Sequence, residues 1–154
     1  MGSRLLGRTR SDNEHGATLV EFAFILPIFV LFVFGIIDFG WAFAQNLDVT
    51  HATREAARLA VVNGAAGNES LTQLCTDIRG RLSEVNPAAA TISLGLQDTN
   101  ADGALDAGDN VTASISYPLR SLSGLSSRFL SGNLNATAVM RMEQLPSWTQ
   151  GSCP

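Results

Sequence analysis

Apolar positions along this chain change their rhythm several times, and each change predicts a different element. From Phe22 to Ile37 nearly every residue is apolar and none is charged; the stretch to Phe43 is interrupted only by Pro27, Asp38 and a few glycines. At about 1.5 Å per residue, Ala17–Ile37 gives roughly 30 Å of helix, enough to cross a bilayer's hydrocarbon core. From Trp41 to Val62 there is no Pro or Gly, and Val49, Ala52, Ala56, Leu59 and Ala60 recur at helical spacing. One helix from Ala17 to Val62, stopped at Asn63-Gly64, would be roughly 70 Å long. Arg54, Glu55 and Arg58 stand elsewhere on its surface. They are either a solvated face or part of a stalk that packs in a filament or on its own head.

Beyond a linker at 64–68 the rhythm is helical again. Leu71, Leu74, Cys75, Ile78, Leu82 and Val85 predict an amphipathic helix ended by Asn86-Pro87. Ile92, Leu94 and Leu96 alternate, as do Val111, Ala113, Ile115 and Tyr117, so two half-buried strands follow. A third strand is expected over Leu134–Met142, after a Ser/Gly-rich loop at Ser121–Gly132. The fold class is therefore α+β: a long N-terminal transmembrane and stalk helix, then a small helix and an antiparallel sheet. The expected divisions are a basic leader at 1–16, a span at 17–40, its helical extension at 41–63 and an exported head at 64–154.

Charge orients the plan. Arg4, Arg8 and Arg10 precede the span, whereas Asp38 and Asp48 come before the next Arg at 54. The positive-inside bias then leaves the N-terminus in the cytoplasm and exports the rest, as a single-pass membrane protein in contact with membrane lipid. A net charge of -4 gives no basic footprint for nucleic acid. Cys75 and Cys153 are the only cysteines. An even pair in an exported domain fits a disulfide, against the alternative of two unrelated thiols.

Two simpler readings of the apolar run compete. An ordinary signal peptide could be cut at Ala42-Phe43-Ala44, giving a start at Gln45, although the run is long for an h-region. A plain anchor is the other. Neither explains Glu21. A carboxylate at the start of a spanning helix is costly unless partnered, which makes it a functional residue by default. It stands five residues after Gly16, in Gly16-Ala17-Thr18-Leu19-Val20-Glu21-Phe22. That spacing resembles pilin-class precursors, in which a peptidase cuts after a glycine at the cytoplasmic face. Ala17 would then begin the mature chain, and Glu21, its fifth residue, could pair with the new α-amino group of a neighbouring subunit.

Three blocks sharpen the resemblance: Gly16-Ala-Thr-Leu-Val-Glu-Phe-Ala-Phe-Ile-Leu-Pro27, Phe34-Gly-Ile-Ile-Asp-Phe-Gly40 and Thr53-Arg-Glu-Ala-Ala-Arg58. Together they resemble the TadE-like family, minor pilins or pseudopilins of the tight-adherence (Flp/Tad) pilus system. The likeness covers about residues 16–62, with a weaker echo at Asn135-Ala-Thr-Ala-Val-Met-Arg141. Asp38 stands where Glu is more usual, and His51 where a small or polar residue is common. The resemblance implies processing by a prepilin peptidase. It also implies partners among other pilin subunits and an inner-membrane assembly platform with a cytoplasmic ATPase, and a place in or beneath a surface pilus.

Between the first two strands, Asp98, Asn100, Asp102, Asp106 and Asp109 fall at positions 1, 3, 5, 9 and 12 of a loop with Gly103 at position 6. This is the calcium-loop pattern of EF-hands, with the Ala104 carbonyl as the position-7 ligand. It resembles the loops of extracellular modules such as dockerins, where Asp can also stand at position 12. Ca²⁺ is the expected ion, with weak affinity. The flanking elements are strands rather than helices, so an Asp/Asn/Gly-rich hairpin turn is the competing reading.

Catalysis has little support. His15 and His51 are isolated, and no Cys-x-x-Cys, phosphate loop or Ser/His/Asp arrangement occurs. Asn68-Glu-Ser, Asn110-Val-Thr and Asn135-Ala-Thr match the glycosylation pattern, which is frequent by chance. The chain is expected to be no enzyme. Two readings stand: an assembly subunit of a tight-adherence pilus or related secretion apparatus, or a membrane-anchored or secreted calcium-binding adhesion module.

Overall fold

A computed structural model describes residues 12–65 and 69–154. Residues 1–11 of the expected leader, with Arg4, Arg8 and Arg10, and residues 66–68 of the expected linker lie outside the described residues, while 12–16 are already helical. The element order is α1 (Asp12–Ala65), α2 (Leu71–Arg79), a 3-10 turn (Pro87–Ala89), β1 (Thr91–Gln97), β2 (Asn110–Pro118), β3 (Asn133–Arg141) and β4 (Gly151–Ser152). The strands form one antiparallel sheet in the order β3-β2-β1-β4, and the helices cover one of its faces. This is the α+β plan expected of the sequence.

Alternation decides which face of the sheet meets the helices. Ile92, Leu94 and Leu96 of β1 lie opposite Ile115, Ala113 and Val111 of β2, which in turn face Ala136, Ala138 and Met140 of β3. All of these join one apolar core with Val49, Ala52, Ala56, Leu59 and Ala60 of α1. Ser93, Thr112, Ser114, Asn135 and Thr137 fall on the other face, as the period of two requires. Small residues on both layers, such as Ala56 against a strand carrying Ala136 and Ala138, let the long helix lie close to the sheet.

The second helix is shorter than its periodicity predicts. A capping box starts it: Gln73 N–H donates to Ser70 Oγ at 3.3 Å, and Ser70 N–H to Gln73 Oε1 at 3.4 Å. It stops at Arg79, yet Leu82 and Val85 are still buried. Gly80 caps it, and past the cap the Asp48 carboxylate accepts the N–H groups of Ser83, Glu84 and Val85. Those donors would otherwise serve further turns of α2.

β4 and the tail before it carry no periodic pattern that predicts them. Trp148 is buried and donates its Nε1–H to the carbonyl of Ala60 at 3.0 Å. Gly151 and Ser152 then pair with Leu94 and Ser93. Cys153 is bonded to Cys75 of α2 across 78 residues. Closing so long a loop removes on the order of 4 kcal/mol of unfolded-chain entropy.

Candidate functional site

Helix α1 presents two surfaces in succession. Residues 16–34 are all exposed, and its 18-residue apolar window has a mean hydropathy of 2.7 with none of it buried. It is the one helix among the described residues long and apolar enough to cross a membrane. Gly16, Ala17 and Glu21 all lie on this exposed part of the helix. A Cβ at Gly16 would meet nothing within 4 Å. No packing within the chain therefore asks for glycine there, where it costs a helix about 1 kcal/mol relative to Ala.

Burial begins abruptly at Asp38. Asp38, Gln45, Val49, Ala52 and Ala56 follow on one stripe, at spacings of three, four and seven, with buried Asp48 and Thr53 beside it. Three of these polar residues, Asp38, Gln45 and Asp48, are clamps, whereas the Thr53 hydroxyl bonds the Val49 carbonyl of its own helix. The Asp38 carboxylate accepts Leu122 N–H at 3.1 Å and Ser123 N–H at 2.8 Å, and also the hydroxyls of Ser123 and Ser126. Gln45 bonds both backbone groups of Arg120: its Nε2 donates to the carbonyl at 2.8 Å, and its Oε1 accepts the N–H at 3.3 Å. Asp48 accepts Glu84 N–H at 2.9 Å, Val85 N–H at 3.2 Å and Ser83 through both backbone and hydroxyl.

A buried carboxylate is tolerable when donors satisfy its oxygens, and each of these is so satisfied. Asp38 and Asp48 were legible in the sequence as negative charge beyond the span. Their role as clamps was not. Their partners lie 35 to 88 residues away, and the one available signal was a polar residue recurring on the stripe of Val49, Ala52 and Ala56. On the helix's other flank Arg58 pairs with Glu55 at 2.7 Å, with Arg81 at 3.8 Å from the same carboxylate. The Arg58 guanidinium holds the Glu55 carboxyl below its ordinary value.

The acidic loop joins β1 to β2 at the end of the sheet opposite the Ser121–Gly132 loop. Asp98 accepts the N–H groups of Ala101 and Gly103 at 2.7 and 2.9 Å. Asn100 and Asp102 cap the backbone two residues further on. Gly103 and Gly108 have φ of +87° and +115°, which a residue with a Cβ rarely adopts. Asp109 is buried and turned inward: its oxygens accept the N–H groups of Thr99 and Asp106, at 2.9 and 3.0 Å. Those two backbone bonds hold its carboxyl below the ordinary value. Desolvation, and then repulsion from Asp102, Asp109 and Asp98, push Asp106 up.

The carboxylates thus share one loop without converging. Among the described residues, no group of three or more His, Cys, Asp or Glu side chains is arranged to hold a metal ion. The fit to Ca²⁺ is partial. Asp98, Asn100 and Asp102 keep spare lone pairs and the Ala104 carbonyl is at hand, whereas the inward Asp109 is committed to the backbone.

Residues 16–58 match the family model described as TadE-like protein. The matched segment contains Gly16, Ala17 and Glu21, and also the clamps Asp38, Gln45 and Asp48. No curated protein and no solved structure matches the chain.

Proposed function

Taking residues 16–58 as a TadE-like segment of the Tad pilus system, we propose that the chain is a minor pilin or pseudopilin-type subunit that acts in assembly of a tight-adherence pilus. One observation carries the reading: Gly16 precedes Glu21 by five residues at the head of an exposed apolar helix, inside the matched segment. A prepilin peptidase would cut after Gly16. Glu21 would then neutralise the α-amino group of an adjoining subunit within the membrane, where an unpaired carboxylate is costly. The head, clamped to the exported half of α1 and stapled by Cys75–Cys153, would face the oxidising side.

N-terminal sequencing of the protein recovered from the membrane fraction tests this. A start at Ala17 supports it, with Glu21→Ala processed but failing to assemble. A start at Gln45, or an uncut chain, overturns it.

A second reading has one observation in its favour. Asp98, Asp102, Asp106 and Asp109 share one twelve-residue loop, and their mutual repulsion, which pushes the Asp106 carboxyl up after the larger push of burial, is what a bound Ca²⁺ would relieve. Ca²⁺ titrated calorimetrically into the full chain in detergent should give weak, saturable heat that Asp98→Ala abolishes. No heat and no thermal shift would remove the ion and the binding-module reading with it.

A further inference from the structure

We propose that the loop Ser121–Leu130 is a membrane-interface foot, which seats the head on the lipid surface beside the point where α1 leaves the bilayer. The inference rests on the reading of α1 as a membrane span. It concerns a different part of the chain.

The loop presents its large apolar side chains outward. Leu122 is 60 % exposed, Leu125 66 % and Phe129 86 %. Other exposed large apolar residues of the head, such as Leu105, Val139 and Leu145, are scattered singly, which is ordinary on a soluble surface. Three within eight residues of one loop are not ordinary. Nor is the loop slack. Leu119 N–H closes its base on the Gly132 carbonyl at 2.9 Å, and a helical turn lifts Phe129 through bonds from Phe129 and Leu130 N–H to the Ser126 carbonyl. The apolar side chains are held out by a fixed backbone.

Position names the occupant. The loop's backbone is bonded to α1 at Asp38 and Gln45. Asp38 is the first charged residue beyond the apolar run, and the exposed side chains of Ile36, Phe39 and Phe43 carry the span's apolar surface past it on the helix's free side. The patch therefore stands at the rim of the span, where hydrocarbon gives way to headgroups. Charge agrees. Arg120 and Arg128, both exposed, flank the three apolar residues, and no Asp or Glu occurs from 119 to 132 in a chain of net charge -4. The acidic loop lies at the other end of β2, about 30 Å away for a nine-residue strand. A basic, apolar foot and an acidic far end match an anionic lipid surface beneath the head.

Depth-dependent quenching in vesicles of phosphatidylethanolamine and phosphatidylglycerol tests the foot. Cys75 and Cys153 are bonded to each other, so a single introduced thiol takes an environment-sensitive fluorophore. The full chain is labelled in turn at Phe129→Cys, at Phe32→Cys within the span and at Ala101→Cys in the acidic loop. Lipid spin-labelled near the headgroup should quench position 129 strongly, lipid labelled deep in the acyl chain should quench position 32 more than 129, and both should leave position 101 bright. Arg120→Gln with Arg128→Gln should weaken quenching at 129 in anionic vesicles more than in zwitterionic ones. Quenching at 32 with none at 129 overturns the foot and leaves the anchor standing. Silence at both positions overturns the foot through failure of the membrane reading itself. A fluorophore at 129 that is shielded in detergent without lipid, and cross-links to a second copy, overturns the foot in favour of a contact between subunits.

Discussion

The two halves of α1 share one helical backbone, yet they are built for different surroundings. Residues 16–34 are exposed on every side. Residues 38–60 bury a stripe of Asp38, Gln45, Val49, Ala52, Ala56 and Ala60. Apolarity alone would bury the wrong half, because the exposed half is the more apolar of the two. What differs is where the polar residues fall. In the upper half Asp38, Gln45 and Asp48 fall along the buried stripe, each bonded to backbone groups of the head; in the lower half only Glu21 is charged from residue 16 to residue 37. A helix facing lipid needs no partner for its apolar surface, whereas a helix facing a sheet needs shape and a partner for every buried polar atom.

The largest expected effects come from exchanging the two kinds of error. Leu31→Arg puts a charge at the middle of the exposed half, at a cost of about 3 kcal/mol in a bilayer centre. Vesicle flotation should show membrane insertion impaired, while thermal melting of the head in detergent stays as in the parent. Ala56→Asp should do the reverse: an unpaired charge at a fully buried position costs the head roughly 3 kcal/mol or more, with insertion unchanged. If Leu31→Arg instead unfolds the head in detergent, the halves are not separable.

Asp48→Ala comes next. It strands the N–H groups of Ser83, Glu84 and Val85 inside the fold, for a loss of about 3 kcal/mol in melting of the full chain in detergent. Asp48→Asn keeps one acceptor oxygen but turns an amide toward the same donors, so it should fall between parent and Ala. A melt unaltered by Asp48→Ala would mean that the upper half holds the head by apolar contact alone.

The elements that were legible in the sequence are those whose cause is local. Strand alternation from Val111 to Tyr117 is written by one buried face, and the acidic loop by turn chemistry within twelve residues. Gly16 and Glu21 were readable as a spacing, and the structure adds only that they lie on an exposed helix. The clamps were not readable, since an Asp on a helix face looks solvated until its partner 35 or more residues away is known. The overlong expectation for α2 has the same origin, because the periodicity of Leu82 and Val85 is real but Asp48 takes the donors that a helix would use. In the tail the Cys75–Cys153 bond was readable from an even pair of cysteines, whereas the indole bond of Trp148 and the two ladder residues of β4 had no local signal.

The smallest effect is expected on the outward flank of the upper half, and its sign separates water from lipid there. The Glu55 carboxyl is held below its ordinary value, first by its hydrogen bond from Arg58 and, after burial's opposing push, by the charges of Arg58 and Arg81. A depressed folded-state value means that this carboxylate stabilises the head above the unfolded-state range near pH 4 to 4.5, and that the contribution is lost as pH falls through the lower, folded value. Glu55→Gln should therefore flatten a small part of the acid limb in a pH series of melts and leave neutral-pH stability almost unchanged, because the pair is open to solvent and screened. The same flattening should appear in the parent at high salt. If Glu55→Gln destabilises the head strongly at neutral pH, and salt does not reduce the effect, that flank is shielded from water and the contrast between the halves of α1 narrows to their buried stripe.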